Sequence, residues 1–426
     1  MIALNLYKLA TNLSLPLLVA GFVWRSRSQK DYRHRLNERL GFLGHAQTGG
    51  IVIHAASVGE VIALKPFIEM TLAHFSDTPV TITTFTPTGS ARVTETFGNT
   101  VQHYYLPLDA PSTVKKFLKH LKPKVLVLME TELWPALIEQ CHKQGVKTML
   151  INGRISQRSF PRYQKIISLI SPTLQALDHI MTQSEEDAQR FAALGATETQ
   201  VKCAGNLKYD IEIPDPSTAL NTDLRMIGLQ RKAWVVGSSH ADEEALFLAC
   251  FKQLQNQIDN LILIIAPRHP ERVKHLVELA DSMGLSIVKR SEKTRPTKND
   301  DIWLIDTMGE LLNFYQIADV CTVAGSFGAT GGHNPIEAAM FKKPIIVGTN
   351  MDNFQEITTA LLSAEGIVQL PENMIEILRD EVLRLFNEED AAKTLGDKAY
   401  SVIEANQGAT RTAFEKLVTL YNTNER

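Results

Sequence analysis

Residues 325–344 read GSFGATGGHNPIEAAMFKKP and hold the densest set of groups able to meet a ligand. An apolar run at residues 320–324 meets a loop with Gly325, Gly328, Gly331 and Gly332, and the pattern predicts a short helix after it. Asn334 suits the N-cap, Pro335 the first helical position and Glu337 the closing position of a capping box. Glycines allow close backbone approach, and a helix start offers unpaired N–H groups and a positive dipole end, so the stretch is expected to bind phosphate through backbone. A plain strand–loop–helix connection is the competing reading, and the glycine density argues against it. The stretch is neither a Walker A loop nor a dinucleotide fingerprint.

Acids and bases follow other apolar runs. HAASVGE ends in Glu60, in the first turn of a predicted helix, where a carboxylate can take a proton from an attacking hydroxyl or simply partner the dipole. METELWP carries Glu130 and Glu132. If the strand continues through them, alternation sends these to opposite sides, leaving Glu130 as the functional candidate and Glu132 as helix-capping chemistry. GNLKYD offers Lys208, a cation able to neutralise developing negative charge, or an ordinary surface lysine. Further on, PRHPERV places Arg268 and His269 where a guanidinium can fork onto phosphate. DTMGEL adds the turn Gly309, Glu310 and Leu311, and GSSH opens the second half at residues 237–240 in the same way.

Positioning these groups requires a repeated frame. Residues 51–55, 80–84, 125–129, 148–152 and 179–182 are short apolar or β-branched runs, each followed by loop chemistry and then an amphipathic stretch. After IEIPDPS at 211–217, which reads as a linker, the rhythm restarts at 234–237, 261–266, 302–305, 320–323 and 344–347. The expected architecture is α/β: two doubly wound, Rossmann-like domains facing a cleft, at residues 25–212 and 213–426, with a return of the final helix to the first domain left open. In such sheets ligands bind beyond the carboxyl ends of the strands.

Bulk properties exclude several classes. A net charge of −3 argues against a nucleic-acid binder. Four scattered cysteines form no C-x-x-C pair, and no histidine or aspartate spacing indicates a metal site. Residues 1–24 are different: an unbroken apolar run at 15–24 follows apolar positions recurring every three or four residues from Ile2. Arg25, Arg27, Lys30, Arg33, Arg35 and Arg39 follow, a cluster that holds its side in the cytoplasm. A membrane anchor is expected here, spanning or interfacial, with a helix packed on its own domain as the alternative. As an anchor alone, its removal leaves chemistry on a dispersed acceptor intact.

Taken together, HAASVGE, TPTGS, METELWP, NGRIS, GNLKYD, PRHPERV, DTMGEL and GGHNPIEAA closely resemble the Kdo (3-deoxy-D-manno-octulosonic acid) transferases of lipopolysaccharide assembly, along essentially the whole chain. The resemblance implies an inverting GT-B glycosyltransferase moving Kdo from CMP-Kdo to a lipid A precursor (lipid IVA), on the cytoplasmic face of the bacterial inner membrane. It implies Glu60 as general base, Glu130 and Lys208 as transition-state stabilisers, and Arg268, His269, Gly309 to Leu311 and Asn334 to Glu337 as CMP contacts. It implies no cofactor beyond the donor substrate and no metal, since a single phosphate can be held by arginine and a helix start. The basic run to Arg39, with Arg154, Arg158 and Arg162, would then suit the acceptor's phosphates. SQRSFPRY departs from the family pattern at Phe160 and Pro161, which touches local acceptor contacts. The alternatives are another GT-B sugar-nucleotide enzyme (an epimerase or UDP-sugar transferase) and a non-catalytic membrane-tethered nucleotide-binding protein.

Overall fold

A computed structural model of the chain describes residues 2–27, 30–210, 231–292 and 295–423. The chain divides into two compact units, Met1–Asp210 with Asn406–Arg426, and Ile211–Ala405. The linker motif at 211–217, and with it the expected boundary at 212/213, lies outside the described residues.

Unit 1 is built on β1 (Ile51–His54), β2 (Val80–Thr84), β3 (Gln102–Tyr105), β4 (Val125–Met129), β5 (Lys147–Gly153), β6 (His179–Thr182) and β7 (Val201–Cys203). They form one parallel sheet in the order β3-β2-β1-β4-β5-β6-β7. Both faces are covered, which is why the central strands read as continuous apolar runs rather than alternating ones. Ile51 and Ile53 pack into one cluster with the helix Val58–His74, and Val52 packs into the other with the helices Pro111–Leu121 and Pro135–Lys143. The last helix, Ala409–Thr423, belongs to this unit and adds Ala409, Ala413, Leu417 and Leu420 to the first cluster, at the spacing of one helix face.

Unit 2 repeats the plan with β8 (Lys232–Ser239), β9 (Leu261–Pro267), β10 (Ile287–Lys289), β11 (Ile302–Leu304), β12 (Val320–Val323), β13 (Ile345–Val347) and β14 (Val368–Gln369). The order is β10-β11-β9-β8-β12-β13-β14, again all parallel. In each sheet the first strand is interior and the strand order reverses beside it, between β1 and β4 and between β8 and β12. A crevice opens at such a reversal because successive helices leave on opposite faces.

The N-terminal helix Ile2–Arg25 is long and apolar enough to cross a membrane, by length and composition. It is also tied to unit 1. Tyr7 Oη donates to Asp109 at 2.8 Å, Lys8 pairs with Glu139 at 2.8 Å, and Asn12 accepts from Ser112 Oγ at 2.6 Å. Leu6, Leu9, Leu13 and Leu17 remain exposed along it.

Candidate active site

In unit 1 the expected residues gather at the β1/β4 crevice. The chain leaves β1 through Ser57, which caps the helix Val58–His74 by accepting from the Glu60 N–H. The Glu60 carboxylate reaches back, accepting from the Ala56 N–H and from Ser57 Oγ, both at 2.8 Å. This reciprocal capping fixes the rotamer of a partly exposed side chain. Burial, with the neighbouring charges of Glu130 and Glu132, raises the Glu60 carboxyl to about 6, against the two hydrogen bonds that favour its charged form. Such a group is ionised at neutral pH yet close enough to it to accept a proton efficiently.

Across the crevice β4 stops at Met129 because Glu130 adopts a left-handed backbone (φ 56°), unusual for a residue with a Cβ. Lys208 Nζ lies 3.2 Å from Glu130 Oε1, so the fold joins as an ion pair two residues 78 positions apart (208 − 130). Lys208 sits in the 3-10 turn Leu207–Tyr209, which three amides hold in place. Asn152, also left-handed, accepts from the Leu207 N–H at 2.9 Å, Asn206 caps the Lys208 N–H at 3.0 Å, and Gln183 bridges Asn206 to the Asn152 carbonyl. Asp210 then caps the returning helix through the Gly408 and Thr410 N–H groups. The motifs NGRIS and GNLKYD are one structural device for aiming Lys208.

Two expectations need correction. Glu132 does not cap the helix Pro135–Lys143. Asp109 does, accepting from Ala136 and Leu137, while Glu132 holds the Trp134 indole at 2.8 Å and lies 3.4 Å from the buried His54 Nε2. Nothing in the Thr131–Trp134 sequence marks a cap supplied from another loop. The basic run is also not uniformly free for an acceptor. Arg35 bonds Glu38, Ser90 and the His103 carbonyl, and Arg39 is buried under aromatic rings.

In unit 2 the expected residues lie on loops after β9, β11 and β12, three strands that with β8 are contiguous in the sheet. Arg268 is exposed, with no side-chain ion pair among the described residues, and its N–H bonds the Ser239 carbonyl beside His240. Arg272 pairs with the fully buried Glu244 at 2.7 Å and ties the Arg268–His269 turn to the helix Glu244–Leu254. Gly309 takes a left-handed turn (φ 80°), Leu311 starts the next helix, and Glu310 is engaged by Arg290 at 3.2 Å and by Thr307.

The glycine-rich loop differs from its sequence reading. Its N–H groups are largely used within the unit: Gly325 and Phe327 donate to Glu243, Ala329 to Asp242, and Gly332 to the Gly325 carbonyl. The short helix Ile336–Ala339 has Pro335 rather than Asn334 at its N-cap, and Asn334, one residue further out, accepts from the Ile336 N–H at 3.2 Å. Glu337, half-buried, does not close a capping box; burial raises its carboxyl to about 7 and Arg268 opposes the shift. Anion-attracting power here resides in side chains.

Two residues around this loop, His333 and Glu243, escape a reading of motifs. His240 and His333 stack with their Nε2 atoms 2.8 Å apart, so one donates to the other, and His269 lies edge-on to His240 at 5.4 Å. Burial and then the neighbouring His269 lower His240, burial and then His240 lower His333 to about 4, and Arg268 adds to both. The signal was the histidine inside GGHN and the acidic run directly after GSSH. Among the described residues no cluster of three or more metal-ligating side chains occurs.

Paired doubly wound units with reactive side chains at their strand ends constitute the GT-B architecture, shared by glycosyltransferases and sugar-nucleotide epimerases. Solved structures agree on the fold. A glycosyltransferase from Rickettsia africae ESF-5 matches with TM-score 0.54 at 12% identity, over 89% of this chain and 100% of that one. UDP-GlcNAc 2-epimerase from Neisseria meningitidis bound to UDP-GlcNAc matches with TM-score 0.55 at 13% identity, over 87% and 100%. Sequence separates the two classes. The family model of 3-deoxy-D-manno-octulosonic-acid transferase (kdotransferase) matches residues 34–211. The 3-deoxy-D-manno-octulosonic acid transferase of Haemophilus influenzae is 37% identical over 406 residues, 94% of this chain and 95% of that protein. The chain belongs to the Kdo transferase family.

Proposed function

We propose that the protein transfers Kdo from CMP-Kdo to the 6'-hydroxyl of a lipid A precursor, lipid IVA, with inversion, and that its N-terminal helix holds it on the cytoplasmic face of a bacterial inner membrane. The observation that carries the reading is the Glu60 carboxylate, fixed by Ala56 and Ser57, raised to about 6 and adjacent to the Glu130–Lys208 pair. In the reaction the acceptor oxygen attacks the anomeric carbon of Kdo, the bond from that carbon to the CMP phosphate oxygen breaks, and Glu60 takes the hydroxyl proton. Glu130 offsets positive charge at the anomeric carbon as CMP leaves, and Lys208 fixes Glu130 and limits its repulsion of Glu60. Arg268, with His269, His240 and His333 beside it, supplies the phosphate contact, and Asn334 to Glu337 and the Gly309–Leu311 turn shape the rest of the donor site. A single phosphate held this way requires no metal.

The test is direct: incubate the purified protein with CMP-Kdo, generated in situ, and detergent-dispersed lipid IVA, with and without EDTA, then weigh the lipid by mass spectrometry. A gain of one or more Kdo units in both reactions is expected. Release of UDP from a UDP-sugar instead, or turnover lost in EDTA, would overturn the substrate or the metal-free reading respectively.

A further inference from the structure

Arg39 is an anomaly. It is 1% exposed, it has no ion-pair partner among the described residues, and its Nε and Nη1 make no hydrogen bond there. Three rings enclose the guanidinium: Tyr105 at 4.2 Å, Phe22 at 4.5 Å and Phe85 at 5.0 Å. Burying an unpaired cation is costly, and an apolar side chain would fill the space more cheaply, even counting its attraction to the ring faces. A charge kept at such a place points to something it holds.

What it holds is the loop after β2. Arg39 Nη2 donates to the Phe85 carbonyl at 2.8 Å. The Phe85 and Thr86 N–H groups both donate to the Ala56 carbonyl at 3.2 Å, and Thr86 Oγ1 does the same. The Ala56 N–H is the donor that holds Glu60 Oε2 at 2.8 Å. At its other end the path begins on the N-terminal helix, since Phe22 lies in Ile2–Arg25. The Phe85 ring also packs on Trp134 (5.6 Å), the residue that fixes Glu132.

We propose that Phe22 and Arg39 are positioning residues for Glu60: the seated N-terminal helix fixes the Arg39 guanidinium, and Arg39 fixes the strand-end loop that orients the carboxylate. The inference rests on Glu60 being the base. It revises the expectation that residues 1–24 serve as a tether only. The charged groups facing Glu60 are Glu130, paired with Lys208, and Glu132; those facing Arg39 are Arg35 and Glu38, with Tyr32 and Tyr105. Neither Phe22 nor Arg39 lies among the charges that set the Glu60 titration, so any effect of theirs on it must pass through the loop.

The test uses full-length Phe22→Ala, Phe22→Leu and Arg39→Lys on detergent-dispersed acceptor, which removes membrane recruitment from the readout. For Phe22→Ala we expect kcat to fall about 10-fold with the donor KM unchanged. The acid limb of kcat/KM, expected near pH 6 in the parent because the Glu60 carboxyl is raised to about 6, should move down by about half to one pH unit as the loosened carboxylate gains water. Phe22→Leu should restore most of both, and Arg39→Lys, which keeps the charge but loses the planar fork, should resemble Phe22→Ala. A folded Phe22→Ala protein with parental kcat and acid limb sinks the inference, as does a rate loss in which the limb stays put. Glu60→Gln separates the two claims. If it retains turnover, the base assignment falls and takes this inference with it; if it is inactive while the Phe22 and Arg39 variants behave as the parent, only the positioning role falls.

Discussion

Glu60 in unit 1 and Glu243 in unit 2 look alike by titration and differ in everything else. Both follow the first strand of a doubly wound sheet, and burial raises the first to about 6 and the second to about 7. Glu243 is 1% exposed and accepts from the N–H groups of His240, Gly325 and Phe327, so every direction around it is occupied by backbone. Glu60 accepts one N–H and one hydroxyl and keeps a face open. A raised carboxylate is therefore a base only where a substrate can reach it; the other kind is a clamp that shapes a loop. The surroundings follow the same division. Unit 1 puts carboxylates and one lysine at its strand reversal, suited to moving a proton, whereas unit 2 puts Arg268 and three histidines there, suited to holding an anion.

The contrast can be broken by substitution. Glu60→Gln should cost about 10²–10⁴-fold in kcat with CMP affinity by calorimetry nearly unchanged. Arg268→Ala should do the reverse, weakening CMP binding about 10- to 100-fold, as loss of a charge-assisted phosphate contact predicts. If Glu60→Gln weakens CMP as strongly as Arg268→Ala, the division between proton chemistry and anion binding is wrong.

Within unit 1, Lys208→Met and Glu130→Gln should each lower kcat by about 10²–10³-fold. Because the two act as one ion pair, the double variant should be little worse than either single one. Fully additive losses would show that the pair of the resting protein is not the unit that works.

The smallest effect concerns the clamp. Glu243→Gln should leave CMP binding measurable but lower Tm by several degrees, since an amide NH2, a donor, replaces one of the two carboxylate oxygens that accept backbone N–H groups. Its pH dependence has a definite sign. The folded-state carboxyl of Glu243 titrates near 7, above its ordinary value of 4.5, so the folded protein holds the proton more tightly. That contribution is fully present below about pH 4.5 and is lost as pH rises through 7. The parent should lose this increment of Tm between pH 5 and 7.5, and the variant should not. An identical slope in both proteins would place the proton elsewhere.

Legibility varied along the chain for physical reasons. The expected strands are all present, with ends within two residues, because strands covered on both faces must be apolar throughout. The strands not anticipated are β3, β7, β10 and β14, the four edges of the two sheets. An edge strand is paired on one side and less covered, and QHYY or VKC can serve there without any apolar run. Motif residues were legible where local chemistry places them, as with Glu60 in the first turn of the helix after β1. They were misread where the partner comes from afar: Asp109 supplies the cap credited to Glu132, and Glu243 consumes the N–H groups credited to phosphate.

Sequence alone determined the α/β class, the two doubly wound units, the apolar N-terminal segment, and which strand ends carry acids, lysine, arginine and histidine. These follow from short-range rules: burial pattern, turn chemistry and capping act over a few residues and leave their mark in composition. Tertiary structure decided which of those side chains meet. The Lys208–Glu130 pair, the His240–His333 contact, the return of Ala409–Thr423 to unit 1 and the burial of Arg39 under Phe22 each join residues far apart in the chain. Such contacts are set by strand order and helix packing, and no window of sequence contains both partners.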